Sequence, residues 1–120
     1  MKEGALTKWN WMVQHVKRLT LGKNTDIGAF TYINAKAGVV IEDDVQIGSH
    51  CSIYSVSTID EKEGEVVLKR GSRIGAHSVV MPGVTVGEHT VVGAFSFVNR
   101  SLPDHVTAVG CPVRIIKKRS

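Results

Sequence analysis

The sequence is poor in the residues typical of disulfide-rich, membrane and disordered proteins. Its 120 residues include only 2 cysteines and 3 prolines, and no apolar run approaches the roughly 20 residues that span a bilayer. Cys51 and Cys111 match no metal-ligand spacing, so we expect both to be reduced and to pack as small apolar side chains. The N-terminus has no signal-peptide core with a cleavage site, which predicts a cytoplasmic protein without membrane insertion.

The charge distribution gives little support for a nucleic-acid partner. The formal net charge is +4, but the densest basic run is residues 117–119, and no basic stripe is interleaved with aromatic side chains. A small ligand carrying several phosphates would suit such a basic terminus equally well. We therefore expect a small-molecule partner rather than nucleic acid.

An aliphatic side chain returns every six residues along most of the chain. The 18 valines and 9 isoleucines, against 5 leucines, favour strands. A period of six fits neither a helix nor a hairpin meander, whereas one short strand and one corner per unit give a parallel β-helix. Three units complete a coil, so four coils are predicted. The repeating positions are Leu21, Ile27, Ile33, Ile41, Ile47, Ile53, Ile59, Leu68, Ile74, Val80, Val86, Val92 and Val98.

Two breaks in the period and the two chain ends divide the sequence into segments. The spacing lengthens after Ile33, where residues 34–38 bulge, and after Ile59, which predicts an excursion loop at 59–67. Excursions from a solenoid are where function concentrates. Around the β-helix of residues 21–101, we expect an N-terminal cap at 1–20 and a tail at 102–120 that seal the exposed sheet edges. Residues 5–18 have helical spacing, with a strand as the alternative.

The six-residue units, the segment 74–87 and the tail segment 110–114 resemble those of the hexapeptide-repeat acyltransferases. The resemblance covers residues 21–118 and favours the maltose, galactoside and xenobiotic acetyltransferase branch, with related sugar O- and N-acetyltransferases of surface-polysaccharide pathways. It implies an all-β, left-handed parallel β-helix that forms a homotrimer with active sites between neighbouring subunits. It also implies transfer of acetyl from acetyl-CoA to a hydroxyl or amine of a sugar or nucleotide-linked sugar, with no metal.

The same resemblance implies a coenzyme A site near the C-terminal coils. Guanidinium forks and ammonium groups suit the phosphates of that cofactor. The positions that match are Ala76 and Ala94 at corners lining the pantetheine channel, Asn99 and Arg100 beside the pantetheine and nucleotide, and Arg114 and Lys117 in the basic tail.

The family's catalytic His-Pro pair is absent from its usual place. Thr58 stands at the position of that histidine, in the stretch that leaves the second coil. A hydroxyl acceptor needs a base that works near neutral pH, which is the natural role of histidine. His50 and His77 occupy corners on either side of the excursion, and they share a face of adjacent coils if the Ile59 unit belongs to the excursion. We predict His50 as the base and His77 as the second candidate.

The acceptor contacts are predicted from their positions beside the two breaks. Asp60 and Glu63 could orient a histidine or recognise an amine. An amine attacks a thioester with little help once it is deprotonated, so loss of the His-Pro pair would harm an N-acetyltransferase less than an O-acetyltransferase. The candidate contacts are Asn34, Lys36, Tyr54, Ser57, Thr58 and Asp60.

Two other classes fit the repeat. A γ-type carbonic anhydrase would need a close pair of histidines for zinc, and no such pair occurs from His50 onward. A non-catalytic β-helix could serve as a binding or assembly module, and turnover of a thioester with any acceptor would exclude it. A chain of this length buries a limited share of its surface, so self-association is expected in every case.

Overall fold

The computed structural model describes residues 1–119, while Ser120, the last residue of the predicted tail, lies outside the described residues. These residues form seventeen short strands and one 3-10 turn, Val16–Arg18. In chain order the strands are β1 (Met12–Gln14), β2 (Leu19–Leu21), β3 (Asp26–Ile27), β4 (Tyr32–Asn34), β5 (Val39–Ile41), β6 (Gln46–Ile47), β7 (Ser52–Tyr54), β8 (Val56–Ser57), β9 (Lys62–Glu63), β10 (Val66–Leu68), β11 (Arg73–Ile74), β12 (Val79–Val80), β13 (Thr85–Val86), β14 (Val91–Val92), β15 (Phe97–Val98), β16 (Val106–Val109) and β17 (Arg114–Lys118).

Each coil adds one strand to each of three parallel sheets. Sheet A has the order β1-β4-β7-β12-β15, sheet B has β2-β5-β10-β13, and sheet C has β3-β6-β11-β14-β16-β17. The repeat positions pair in register: Ile41 lies between Leu21 and Leu68. The parallel β-helix and its four coils are therefore confirmed. Only β17 runs antiparallel in these sheets, folding back on β16.

Corners are shaped by a close approach between successive coils. A Cβ on Gly48 would lie 2.6 Å from the Ala76 nitrogen, so glycine is needed there because the next coil is too near for a side chain. The positive φ of this corner falls two residues later, on His50, at 57°. Thr31 is buried at the corner of the preceding coil, and its hydroxyl donates to the Gly48 carbonyl at 2.8 Å.

The excursion is a short hairpin, and one predicted repeat position belongs to it. β8 and β9 pair antiparallel, with Val56 opposite Glu63. Ile59 lies in the connection between them and is 98% exposed, so its assignment as an inward repeat position is wrong. Six-residue spacing from Ile53 placed it in the pattern, but the chain had already left the coil.

The N-terminal cap is extended rather than helical. Met12–Gln14 forms β1 and pairs with β4 at the edge of sheet A, so the capping helix predicted for residues 5–18 is wrong and the strand alternative is correct. The Glu3 carboxylate accepts hydrogen bonds from the His15 and Val16 N–H groups at 2.7 and 2.8 Å, and these bonds lower its pKa. This contact ties the start of the chain to the end of β1.

The two cysteines have different environments. Cys51 is buried as predicted, and burial raises the pKa of its thiol. Cys111 is exposed, so its expected packing as a small apolar side chain is wrong. Both are free thiols. Within residues 1–119, no helix has the length and apolar character to cross a membrane.

Candidate active site

A cavity of about 560 Å³ lies between the outer face of sheet A and the excursion hairpin, and we call it the hairpin cavity. Outward side chains of the strands form its floor, because alternate residues of each strand face away from the core. The hairpin forms its wall. The lining residues are Tyr32, Asn34, Tyr54, Val56, Ser57, Thr58, Ile59, Asp60, Val79, Met81 and Phe97.

The structure brings five predicted acceptor residues into this one cavity. Asn34 and Tyr54 lie opposite each other on β4 and β7, while Thr58 and Asp60 come from the hairpin connection. Ser57 lines it as well. Lys36 and Glu63, also named from the sequence, are exposed and do not line it.

Ser55 fixes the hairpin to the coil. Its buried side chain donates to the Asn34 carbonyl at 2.7 Å and accepts from the Ala37 N–H at 3.0 Å. Its own carbonyl accepts from the Gly64 N–H at 2.9 Å, which closes the mouth of the hairpin. Both strands of the hairpin are therefore held at its base.

Asp60 supplies negative charge at the rim of the cavity. A hydrogen bond from the Ser57 side chain, aided by the Lys62 ammonium, holds the pKa of Asp60 below its ordinary value. The Lys62 Nζ lies 3.7 Å from the carboxylate. Asp60 is therefore ionised at neutral pH and can receive a hydrogen bond from an ammonium or hydroxyl group.

Sequence reasoning named Tyr54 but missed Tyr32, its aromatic neighbour on the cavity floor. Tyr32 and Tyr54 lie with ring centroids 5.9 Å apart at an angle of 57°. The Tyr32 hydroxyl donates to Gln14 Oε1 at 2.5 Å, and burial raises the pKa of Tyr32. Tyr32 precedes a repeat isoleucine by one residue, and that outward position on β4 was the available signal.

His50 and His77 come together, but outside the hairpin cavity. Their rings stack with centroids 4.8 Å apart and planes within 5° of parallel. Phe95 continues the stack at 5.0 Å, and the Phe30 ring lies 5.4 Å from His50, tilted by 41°. These four exposed side chains form a column along the corner between sheets C and A, which we call the aromatic corner. The two histidines do share one face of adjacent coils.

The residues matched to coenzyme A occupy three places. Ala76 and Ala94 stand on the corner beside His77 and Phe95, where successive coils approach closely: a Cβ on Gly75 would lie 2.5 Å from the Ala94 nitrogen. Asn99 and Arg100 follow β15 directly and are exposed. Arg114 and Lys117 are exposed on β17.

The start of β17 is tied to sheet A. The Val113 N–H donates to the Phe97 carbonyl at 3.0 Å, which places the residue before Arg114 against β15. Phe97 lines the hairpin cavity, so the basic tail starts at the same sheet. Among the described residues, no group of three or more histidine, cysteine or acidic side chains could hold a metal ion.

Comparison with known proteins agrees with this fold. The family model for the bacterial transferase hexapeptide (six repeats) matches residues 65–100. A galactoside O-acetyltransferase of Lactococcus lactis is 32% identical over 112 residues, which cover 81% of this chain and 54% of that protein. The chain thus spans about half the length of the curated relatives it matches.

Two solved structures cover nearly the whole chain. An AntD variant, an N-acyltransferase from Bacillus cereus in complex with dTDP-4-amino-4,6-dideoxyglucose and coenzyme A, is 32% identical, with a TM-score of 0.65 over 92% of this chain and 71% of that one. A hexapeptide-repeat acetyltransferase from Vibrio cholerae is 27% identical, with a TM-score of 0.86 over 92% and 68%. The structural neighbours are left-handed β-helices. The chain therefore belongs to the hexapeptide-repeat transferase family.

Proposed function

We propose that this protein transfers an acetyl group from acetyl-CoA to a hydroxyl or amine of a sugar or nucleotide-linked sugar. The observation that carries the proposal is the hairpin cavity, whose aromatic floor suits a sugar ring and whose rim holds an ionised carboxylate. The family relatives act on galactosides or bind an amino sugar nucleotide beside coenzyme A.

The chemistry is attack by the acceptor on the thioester. A lone pair of the acceptor oxygen or nitrogen bonds to the carbonyl carbon, and the carbon–sulfur bond then breaks as coenzyme A leaves. His50 takes the acceptor proton and returns it to the leaving thiolate, with His77 as the second candidate. Holding both reactants in one site supplies much of the rate. The product is an ester or an amide.

The acetyl donor is proposed to lie along the aromatic corner and the C-terminal coils. Ala76 and Ala94 would line the pantetheine, and Asn99 and Arg100 would flank it. Arg114 and Lys117 would meet the phosphates, because cationic side chains suit phosphate oxygens. The exposure of both basic side chains on β17 leaves them accessible to a ligand.

The active protein is proposed to be a homotrimer with its sites between subunits. The hairpin cavity and the aromatic corner occupy different parts of one chain, and a neighbouring copy could bring its aromatic corner to this cavity. Exposed Phe30 and Phe95, at 57% and 71%, are the kind of side chain that subunit interfaces bury. A surface-polysaccharide pathway and a cytoplasmic location stay predictions.

An acceptor screen tests the activity. Purified protein is incubated with acetyl-CoA and either simple galactosides or dTDP-4-amino-4,6-dideoxyglucose, and the release of free thiol is followed. We expect acceptor-dependent release. Thiol release that no sugar accelerates would contradict the proposal and favour a binding or assembly module.

Asp60→Asn separates the two acceptor types. Loss of the carboxylate should raise the KM of the amino sugar about tenfold, because a hydrogen bond to a charged group is worth about 1.5–3 kcal/mol. The KM of a neutral galactoside should change less than threefold. Glu61→Gln, on the same turn but outside the cavity lining, is the matched control. Equal effects on both acceptors would remove Asp60 from amine recognition.

A further inference from the structure

The N-terminal cap contributes a side chain that hydrogen-bonds a lining residue of the hairpin cavity, Tyr32. We propose that Gln14 is a positioning residue of the acceptor site, holding the Tyr32 hydroxyl where it can hydrogen-bond a hydroxyl or amine of the bound sugar. This inference rests on the proposed function, since it assigns a further residue to the same site.

The contact follows from the register of sheet A. Gln14 lies opposite Asn34, and Met12 lies opposite Tyr32, so Gln14 is the diagonal neighbour of Tyr32. Diagonal neighbours on one face of a sheet are within reach of long side chains. The Tyr32 Oη meets Gln14 Oε1 at 2.5 Å. β1 precedes the hexapeptide repeats, so the cavity floor depends on a strand outside them.

The direction of this hydrogen bond determines whether the Tyr32 hydroxyl can donate to a bound sugar or accept from it. Its single proton is directed to Gln14, so its remaining capacity is to accept a hydrogen bond. Asn34 lines the cavity next to it. Tyr32 and Asn34 thus form a polar end of the cavity opposite the apolar side chains of Val79 and Met81. A donor on the sugar, such as a hydroxyl or an amine, fits this end.

Gln14 has no evident need of this bond for folding. The residue is exposed, so its amide could be satisfied by water. By hydrogen-bonding the Tyr32 hydroxyl, the Gln14 amide reduces the number of conformations available to the Tyr32 side chain. Its expected effect is therefore on binding of the acceptor rather than on stability.

The kinetic test uses a matched set of substitutions. Gln14→Leu removes the acceptor atom, Gln14→Glu keeps one, and Gln46→Leu on β6 is an exposed control on sheet C. With dTDP-4-amino-4,6-dideoxyglucose as the probe, we expect Gln14→Leu to raise the acceptor KM about threefold to tenfold, the worth of one hydrogen bond. The kcat and the KM of acetyl-CoA should stay within twofold, and Gln14→Glu should behave as wild type.

A double-substitution cycle links Gln14 to Tyr32. If Gln14 acts through the phenol, Tyr32→Phe should raise the acceptor KM similarly, and adding Gln14→Leu should change it no further. Additive effects, or an unchanged KM in Gln14→Leu, would overturn the inference.

A second measurement needs no turnover. The chain has only two tyrosines, so ring signals of labelled Tyr32 and Tyr54 can be followed separately by NMR. Titration with the amino sugar nucleotide should shift the Tyr32 signal, with a Kd about threefold to tenfold weaker in Gln14→Leu. Binding without acetylation would contradict the proposed activity alone. Absence of any shift at Tyr32, or an equal Kd in both proteins, would overturn the role of Gln14.

Discussion

Side chains at one corner position stack on each other from coil to coil, which brings His50 against His77 across 27 residues of sequence. The stack follows from backbone spacing, because neighbouring strands of a sheet lie about 4.8 Å apart. An imidazole in such a stack has its faces covered and its edge open. His50 can therefore exchange a proton at a ring nitrogen while its orientation is held by its neighbours.

Replacement of His50 tests its role as the base. His50→Ala should lower kcat by about 10²–10⁴-fold, the usual worth of general-base catalysis, with little change in the KM of acetyl-CoA. Steady-state kinetics with a galactoside acceptor measure this. His89→Ala, a corner histidine stacked on His105 instead, is the control. A loss below fivefold would exclude His50 as the base.

Residues beside breaks in the repeat were predictable as site candidates, whereas residues inside the repeat were not. Asn34, Thr58 and Asp60 stand next to interruptions, and all three line the hairpin cavity. Tyr32 and Phe97 occupy ordinary outward positions on their strands, which mark them as surface residues but not as residues of a cavity. They line a cavity only because the hairpin lies over sheet A in the folded structure.

Among the elements, the excursion hairpin depends on a few polar contacts rather than on a core. β8 and β9 have two residues each, and β9 is exposed. Ser55 is the buried group at their base, and its hydroxyl serves both Asn34 and Ala37. A buried polar pair that loses one partner costs more free energy than an exposed one, since the remaining group stays unsatisfied.

Removal of that hydroxyl should loosen the hairpin. Ser55→Ala leaves the Ala37 N–H without its side-chain partner, and we expect the free energy of unfolding to fall by about 1–3 kcal/mol. Denaturant unfolding measures the change. Ser49→Ala, at a half-buried corner position, serves as the control. An unchanged stability would show that water or a neighbouring group replaces the hydroxyl.

Strands of the coil were predictable because each repeats a pattern that its neighbours must match. The caps and the hairpin lack this redundancy. Residues 5–18 have helical spacing, but sheet A offers backbone partners to an extended segment, and β1 takes them. Ile59 keeps six-residue spacing by coincidence, so spacing alone could not separate it from the inward positions.

For the whole molecule, the proposed site combines the hairpin cavity of one copy with the aromatic corner of a neighbouring copy. Handedness and subunit arrangement are properties that the repeat pattern does not specify. The pattern fixes which side chains face inward, and it leaves the outer faces free to pack against other chains. The predicted homotrimer is therefore tested best by activity that depends on mixing subunits.

Mixed trimers of two impaired variants should regain activity. In a trimer that contains His50→Ala and Asp60→Asn subunits, some interfaces combine an intact aromatic corner with an intact hairpin cavity. At amino-sugar concentrations below the wild-type KM, we expect coexpression to give more acetylation than either variant gives alone, and sedimentation to give a trimer mass. Coexpression of two His50→Ala chains is the control. No recovery in stable mixed trimers would show that each site lies within one subunit.

Because the excursion hairpin is closed at its base, its length can change without changing how the coils pair. Because Gly64 returns to the Ser55 carbonyl, residues gained or lost within the hairpin leave the pairing of β7 with β12 unchanged. Insertion of one residue inside a coil would instead turn each following side chain of that strand to the opposite face. Substrate range can thus change through this segment by insertion and deletion as well as by substitution, while the solenoid beneath it keeps its register.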